Sequence, residues 1–195
     1  MKAELILLAA GQSKRFGGIK QLTDIHGQPM ICHCLSQYRQ GEKWLTGITN
    51  GYVVLGSNAE LITQALPDNI NKYVVNSWVN GMGHSLAQSM QNIDDLTSHV
   101  LIGLGDQVAI TQYMISQLLD EAKKNPSHIV AAQYGGGLGA PVIFPKKYFF
   151  ELSQLTGDKG AKSLLHQYPK YTVSLAMPKA SFDIDTTEDL KFILI

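Results

Sequence analysis

The sequence predicts an α/β fold: a mostly parallel sheet with helices on both faces. Three observations predict it. Short apolar strand segments alternate with helical stretches along the chain, the pattern of strands joined by crossover helices. The first of them, Leu5 to Leu8, is apolar without alternation, as in a strand covered on both faces. The glycine-rich and acidic segments fall just after strands, where ligands bind in such sheets.

Taken in order, the start from Met1 to Ala10 superficially resembles a secretory leader. However, Glu4 sits at its edge, its apolar run is only about six residues against the usual ~7–15 of a leader, and Lys14 and Arg15 follow at once. It reads as a buried first strand. A glycine- and charge-rich loop runs from Ala9 to Lys20. Pro29 opens a helix through about Arg39, at the first helical position that proline favours. Tyr52 to Leu55 is a strand, and Ser57 with Glu60 forms a capping box for a helix ending near Pro67. Tyr73 to Val75 is a short strand, and Gly83 to about Asn92 is helical. Val100 to Leu104 is an apolar strand. Thr111 to Lys124 carries Ile115, Leu118, Leu119 and Ala122 on one helical stripe. Ile129 to Ala132 and Pro141 to Phe144 are strands joined by a glycine-rich connection. Helices near Tyr148 to Leu155 and Ala161 to Gln167 lead to a late strand, Tyr171 to Leu175. A last helix begins after Asp185, with Thr186 and Asp189 as a second capping box.

With 195 residues and no repeat or linker, residues 1–195 fit one domain, with residues 134–179 as a possible flap over the sheet edge. The chain is 45% hydrophobic and 16% charged, a globular composition. Lys plus Arg and Asp plus Glu both number 16, so there is no basic surplus for a nucleic-acid partner. No apolar segment approaches the ~18–20 residues that span a bilayer. Cys32 and Cys34 stand at i, i+2 on a helix, pointing to different sides, and with His33 they lack the spacing of a zinc site. They read as reduced thiols, which suits a cytoplasmic location.

The chemistry-bearing segments share one end of the sheet. Ala9-Ala10-Gly11-Gln12-Ser13-Lys14-Arg15 through Lys20 follows the first strand. Its glycines allow close backbone approach to a phosphate, Ser13 offers a hydroxyl, Arg15 a bidentate fork and Lys20 a point charge. It is not a P-loop, because five residues separate Gly11 from Gly17 and no Gly-Lys-Ser/Thr follows. Gly105-Asp106-Gln107 ends the Val100 strand, and a carboxylate there can ligate Mg²⁺ beside substrate phosphates or simply cap the loop. Asp183 and Asp185, at i and i+2 of an extended segment, can face one ion or cap the next helix. Two carboxylate segments and a cationic loop describe metal-assisted phosphoryl chemistry. Gly81-Met82-Gly83-His84-Ser85 opens a helix whose N-terminus can contact base, ribose or phosphate. Gly157-Asp158-Lys159-Gly160-Ala161-Lys162 is either an anion-binding helix start or a surface turn. Gly135 to Ala140 fits G-x-G-x-x-A, but Pro141 and a strand follow, so it is no dinucleotide fingerprint.

In this order the motifs resemble the MobA-like nucleotidyltransferases, most closely their molybdenum cofactor cytidylyltransferase branch. The likeness rests on Leu8 to Lys20, Gly81 to Leu86, Gly105 to Gln107, Gly139-Ala-Pro-Val-Ile-Phe144, Gly157 to Ala161, and Asp183 to Leu190. It implies a three-layer α/β/α Rossmann-like nucleotidyltransferase fold. It implies transfer of CMP from CTP to molybdenum-bound molybdopterin, with molybdopterin cytosine dinucleotide and pyrophosphate as products and a molybdoenzyme or its chaperone as recipient. The alternatives are a related transferase using another NTP or acceptor, and a non-catalytic molybdopterin carrier. On the family pattern Arg15, Lys20 and Asp106 are catalytic. Ala9, Ala10, Gly11, Gln12, Ser13, Arg15, Lys20, Gly81, Gly83, Ser85 and Gly105 bind nucleotide. Asp106 and Asp185, with Asp183 as helper, hold Mg²⁺, and Gly139, Pro141, Asp158, Lys159 and Lys162 meet the acceptor. Ala10 stands where the guanylyl branch commonly has glycine, which favours a pyrimidine. Two positions depart from the pattern: Val108 replaces a common proline, and Lys162 a common arginine.

Overall fold

The computed structural model describes residues 1–192. Its centre is a seven-stranded sheet of β1 Ala3–Leu8, β2 Ile48–Leu55, β3 Asn71–Val74, β4 His99–Leu104, β5 Ile129–Tyr134, β6 Gly137–Pro145 and β7 Thr172–Ala176. Across the sheet these run β7-β5-β6-β4-β1-β2-β3. Every neighbouring pair is parallel except those made by β6, which is antiparallel to both β4 and β5. The helices are α1 Met30–Ser36, α2 Ala59–Ala65, α3 Met82–Ser89, α4 Gln112–Lys124, α5 Phe149–Ser153 and α6 Lys162–Gln167.

Alternation along the buried strands builds the three layers. Leu5, Leu7 and Ala9 pack on one side with Ile31 and Leu35 of α1, Ile62 of α2 and Ile115, Leu118 and Leu119 of α4. Ile6, Leu8 and Ala10 pack on the other with Leu86 of α3, Leu152 of α5 and Leu164 and Leu165 of α6. Each such fully buried aliphatic side chain contributes about 1.5–3 kcal/mol relative to an exposed one. Met1 to Ala10 is therefore mainly the buried strand β1, all of whose residues are inaccessible to solvent or nearly so. No helix among the described residues is long and apolar enough to cross a membrane.

Four local expectations are corrected. Residues 134–179 are not a flap: β6 lies inside the sheet, held between β4 and β5. The helix expected through Arg39 stops at Ser36, where Ser36 Oγ and Gln37 Nε2 both donate to the His33 carbonyl. The chain then turns at Gly41, φ 61°, into a hairpin of Arg39–Gln40 with Lys43–Trp44. The Ser57–Glu60 capping box does not form, because left-handed Asn58 is the N-cap and Ser57 Oγ accepts from Asn58 Nδ2. The last helix is a 3-10 turn, Thr187–Phe192. Its acidic half-cap is present: Asp189 Oδ2 accepts from the Asp185 and Thr186 N–H groups. The Thr186 hydroxyl donates to the same oxygen.

Direction matters for the site. Because β6 runs against its neighbours, it starts at the sheet end where β4 and β5 finish. A turn at Gly135 and Gly136, φ 55° and 75°, makes the reversal. This brings Gly139-Ala140-Pro141 to the carboxyl edge beside Gly105-Asp106, as the register of Val142 with Ile102 requires.

Candidate active site

The loop after β1 is tied at both ends. Ala9 N–H continues the sheet by donating to Val54, and the Ala10 carbonyl accepts from Ser57 N–H. Ser13 is left-handed, φ 58°, and Gly17 follows at 76°. The loop returns through a 3-10 turn, Lys20–Leu22. From this turn Gln21, 3% exposed, reaches back under the loop. Its Nε2 donates to the Ala9 and Gly11 carbonyls at 3.2 and 3.1 Å, and its Oε1 accepts from Ser13 Oγ at 3.2 Å. The Ser13 hydroxyl expected to face a phosphate is thus turned inward.

Lys20 points the other way, across the strand ends. Its ammonium donates to Asp106 Oδ2 at 2.7 Å, the Ile184 carbonyl at 2.8 Å and Asp185 Oδ1 at 3.3 Å. Arg15 Nη2 lies 2.8 Å from Asp185 Oδ2. The two acidic segments are joined by backbone as well, since Ile184 N–H donates to the Asp106 carbonyl. Gly105 keeps this approach close: a Cβ would stand 2.8 Å from Ile31 Cδ1 and 3.1 Å from Ala9 Cβ. Burial alone would lower the Lys20 pKa, but the Asp106 and Asp185 carboxylates outweigh it and the net shift is upward. Asp183 is pushed up to about 6, by protein crowding around its carboxyl and then by Asp106 and Asp185.

Arg15, Lys20, Gly105, Asp106 and Asp185 wall a cleft of about 410 Å³ at the carboxyl end of β1 and β4, lined also by Trp78, Val79, Met82 and Asp158; Asp183 does not line it. Of the expected nucleotide set, Ala9 to Ser13, Arg15, Lys20, Gly81, Ser85 and Gly105 line it, and Gly83 does not. Gly81 and Gly83 have packing reasons. At Gly83 a Cβ would meet the Thr156 and Gly157 carbonyl oxygens at 2.8 and 2.9 Å, and its N–H donates to Gly157 at 2.7 Å. At Gly81, φ 103°, a Cβ would stand 2.4 Å from Asp158 Oδ1. Ser85 Oγ is occupied by the Gly81 carbonyl.

The expected acceptor set is divided. Asp158 lines the same cleft as the cationic loop, whereas Lys159 and Lys162 are exposed and do not line it. Gly139 and Pro141 are buried in β6, with the Tyr134 hydroxyl over Gly139, where a Cβ would be 2.2 Å from it. Gln107 Nε2 ties this segment to the acidic ones by donating to Ala140 and Ala180 carbonyls. Sequence reasoning missed Gln21, Trp78, Val79 and Met82. The apolar pair Trp78-Val79 just before Gly81 was a signal; Gln21 gave none.

A family profile for the MobA-like NTP transferase domain matches residues 5–172. The chain belongs to that family. Among curated relatives, the bifunctional protein GlmU of Chromohalobacter salexigens is 31% identical over 123 residues, 62% of this chain and 26% of its own length. The chain spans only about a quarter of that relative. Among solved structures, Rv0371c of Mycobacterium tuberculosis is 27% identical with a TM-score of 0.84, covering 98% of this chain and 96% of that one. A complex of Rv0371c with manganese is 25% identical with a TM-score of 0.81, covering 100% and 98%.

The acidic residues of this MobA-like site suit a divalent cation. Asp106 Oδ1 is buried and has no partner among the described residues. Its other oxygen and Asp185 Oδ1 already converge on one cationic group, Lys20. No group of three or more His, Cys, Asp or Glu that could hold a metal forms among the described residues. Two carboxylates are nevertheless the usual protein share for Mg²⁺, which takes its remaining ligands from water and substrate phosphates.

Proposed function

We propose that the chain transfers CMP from CTP to the terminal phosphate of molybdenum-bound molybdopterin, giving molybdopterin cytosine dinucleotide and pyrophosphate. The observation that carries the transfer reading is the cluster of Lys20 and Arg15 with Asp106 and Asp185 on the wall of a nucleotide-sized cleft. Cationic groups and carboxylates meeting at strand ends suit a phosphorylated ligand and its counter-ion.

In the reaction an acceptor phosphate oxygen bonds to the α-phosphorus of CTP as the bond to the β-phosphate oxygen breaks, in line. The electron pair leaves with pyrophosphate. The acceptor is already anionic, so no strong protein base is required. Arg15 and Lys20 balance charge on the triphosphate, and the loop N–H groups orient it. Mg²⁺ held by Asp106 and Asp185, with Asp183 beside them, would neutralise phosphate charge and align the reacting oxygens.

Support for CTP comes from Ala10, which stands on the cleft wall where the guanylyl branch commonly has glycine; one methyl discriminates by only ~1–3 kcal/mol, so Trp78, Val79 and Met82 share the task. Support for the molybdopterin acceptor comes from the family resemblance of Gly139-Ala140-Pro141 and Gly157 to Ala161. With Asp158 on the cleft wall, Lys159 and Lys162 become outer contacts for the acceptor. The test is pyrophosphate release with each NTP, with and without molybdopterin. Release that needs both CTP and molybdopterin is expected. Tight pterin binding with no release from any NTP would sink the transferase reading.

A further inference from the structure

We propose that Gln21 is a positioning residue for the triphosphate: its buried amide turns two loop carbonyls inward and thereby aims the Ala10 and Gln12 N–H groups at the ligand. The inference rests on the NTP-binding reading and adds to it a residue that acts through the loop backbone.

A buried amide is costly unless its hydrogen-bonding groups are paired. Gln21 spends both Nε2 hydrogens on the loop, one on Ala9 and one on Gly11, and its oxygen on Ser13. A trans peptide sets each carbonyl opposite the N–H of the next residue. With the Ala9 and Gly11 oxygens turned to Gln21, the Ala10 and Gln12 N–H groups face away from it. No protein acceptor among the described residues takes either one. Ala10 and Gln12 both line the cleft. A carbonyl oxygen turned toward a triphosphate repels it, whereas an N–H attracts it, so the direction of these two peptides decides the sign of the loop's field.

The Ser13 contact holds a further feature in place. Ser13 adopts φ 58°, uncommon for a residue other than glycine, and its hydroxyl is anchored on the same side chain. Consecutive residues of one short turn thus serve the site in opposite directions: Lys20 toward the carboxylates, Gln21 toward the loop. Few other side chains can replace Gln21. Glu can accept from Ser13 but not donate to carbonyls, Met can do neither, and Asn falls a methylene short.

The experiment measures binding of inorganic tripolyphosphate by calorimetry to the full chain, to Gln21→Met, and to Gln117→Met, at an exposed position of α4, as a control. Gln21→Met is expected to bind ~10- to 100-fold more weakly, from mis-aimed charge-assisted N–H bonds, with Gln117→Met unchanged. In turnover, KM for the NTP should rise by a similar factor with kcat at saturation changed much less. A merely structural role would lower the melting temperature but leave the affinity of the folded protein unchanged, and that result overturns the proposal. If Gln21→Met does not fold, Gln21→Asn takes its place in the same comparison. If the wild-type chain itself fails to bind tripolyphosphate, the NTP reading falls, and the loop is judged by trypsin cleavage after Lys14 and Arg15. Faster cleavage in the Gln21 variant than in wild type and control then supports loop positioning; equal rates overturn it.

Discussion

Replacing Lys20 by Met removes the ammonium and keeps the stem. In the wild type that ammonium lies 2.7 Å from Asp106 Oδ2 and 3.3 Å from Asp185 Oδ1. At an effective dielectric of about 20, the gross attractions are roughly 6 and 5 kcal/mol, most of which desolvation offsets. The Lys20 and Asp106 side chains are 11% and 24% exposed, but Asp185 is 39% exposed and solvent screens its share. A net loss of about 1–3 kcal/mol follows, less than the ~3–5 of a fully buried broken pair. At about 2–4 °C per kcal/mol for a chain of this size, the melting temperature should drop by roughly 2–12 °C. The assay is thermal unfolding in EDTA and in excess Mg²⁺. The loss should be smaller with Mg²⁺, because a divalent cation can separate Asp106 and Asp185 as the ammonium did. Turnover should fall too, kcat/KM by ~10²–10³, the usual effect of removing one charge-stabilising group. A variant that melts with the wild type in EDTA and turns over normally would refute both the electrostatic reasoning and the phosphate role of Lys20.

Asp106→Asn should cut turnover at least ~10²-fold while the circular dichroism spectrum stays that of the wild type; normal turnover removes Asp106 from the reaction. Gly83→Ala should destabilise by about 1–3 kcal/mol, because the new methyl meets two backbone oxygens that cannot rotate aside; wild-type stability would contradict that packing. His99 is buried, which lowers its pKa, and the Pro126 carbonyl offsets this only in part. The unfolded chain then takes a proton at ~6.5 before the folded one does, so stability is full above pH ~6.5 and declines as pH falls toward the lowered folded value. Between pH 8 and 5 the wild-type denaturant midpoint should fall relative to that of His99→Gln, a difference in which the opposite contribution of Asp183 cancels; parallel profiles would rule His99 out as the cause.

Much of the fold was legible because it was written in contiguous residues. The apolar runs of β1, β4 and β5 and the stripe of α4 fix buried strands and one amphipathic helix without reference to the rest of the chain. What escaped depends on partners distant in sequence. The glycine-rich approach to Pro141 reads as a loop, yet Gly137 to Gly139 pair with Tyr134 to Ala132 as strand. Nothing within those residues announces that they will lie between β4 and β5 or run against them. The failed capping box at Ser57 shows the same limit from the other side: the motif was present, but Asn58 in the left-handed region claimed the helix start.

The candidate site divides along the same line. Charged residues at strand ends could be listed from the sequence, and Lys20, Arg15, Asp106 and Asp185 do come together. Glycines were harder, because a glycine marks close approach without saying of what. Gly81 lines the cleft and Gly83 does not, and the chain segment Thr156 to Asp158 lies against both. The same glycines bring Asp158 to the cleft, so the Gly157-Asp158 turn and the opening of α3 form one wall.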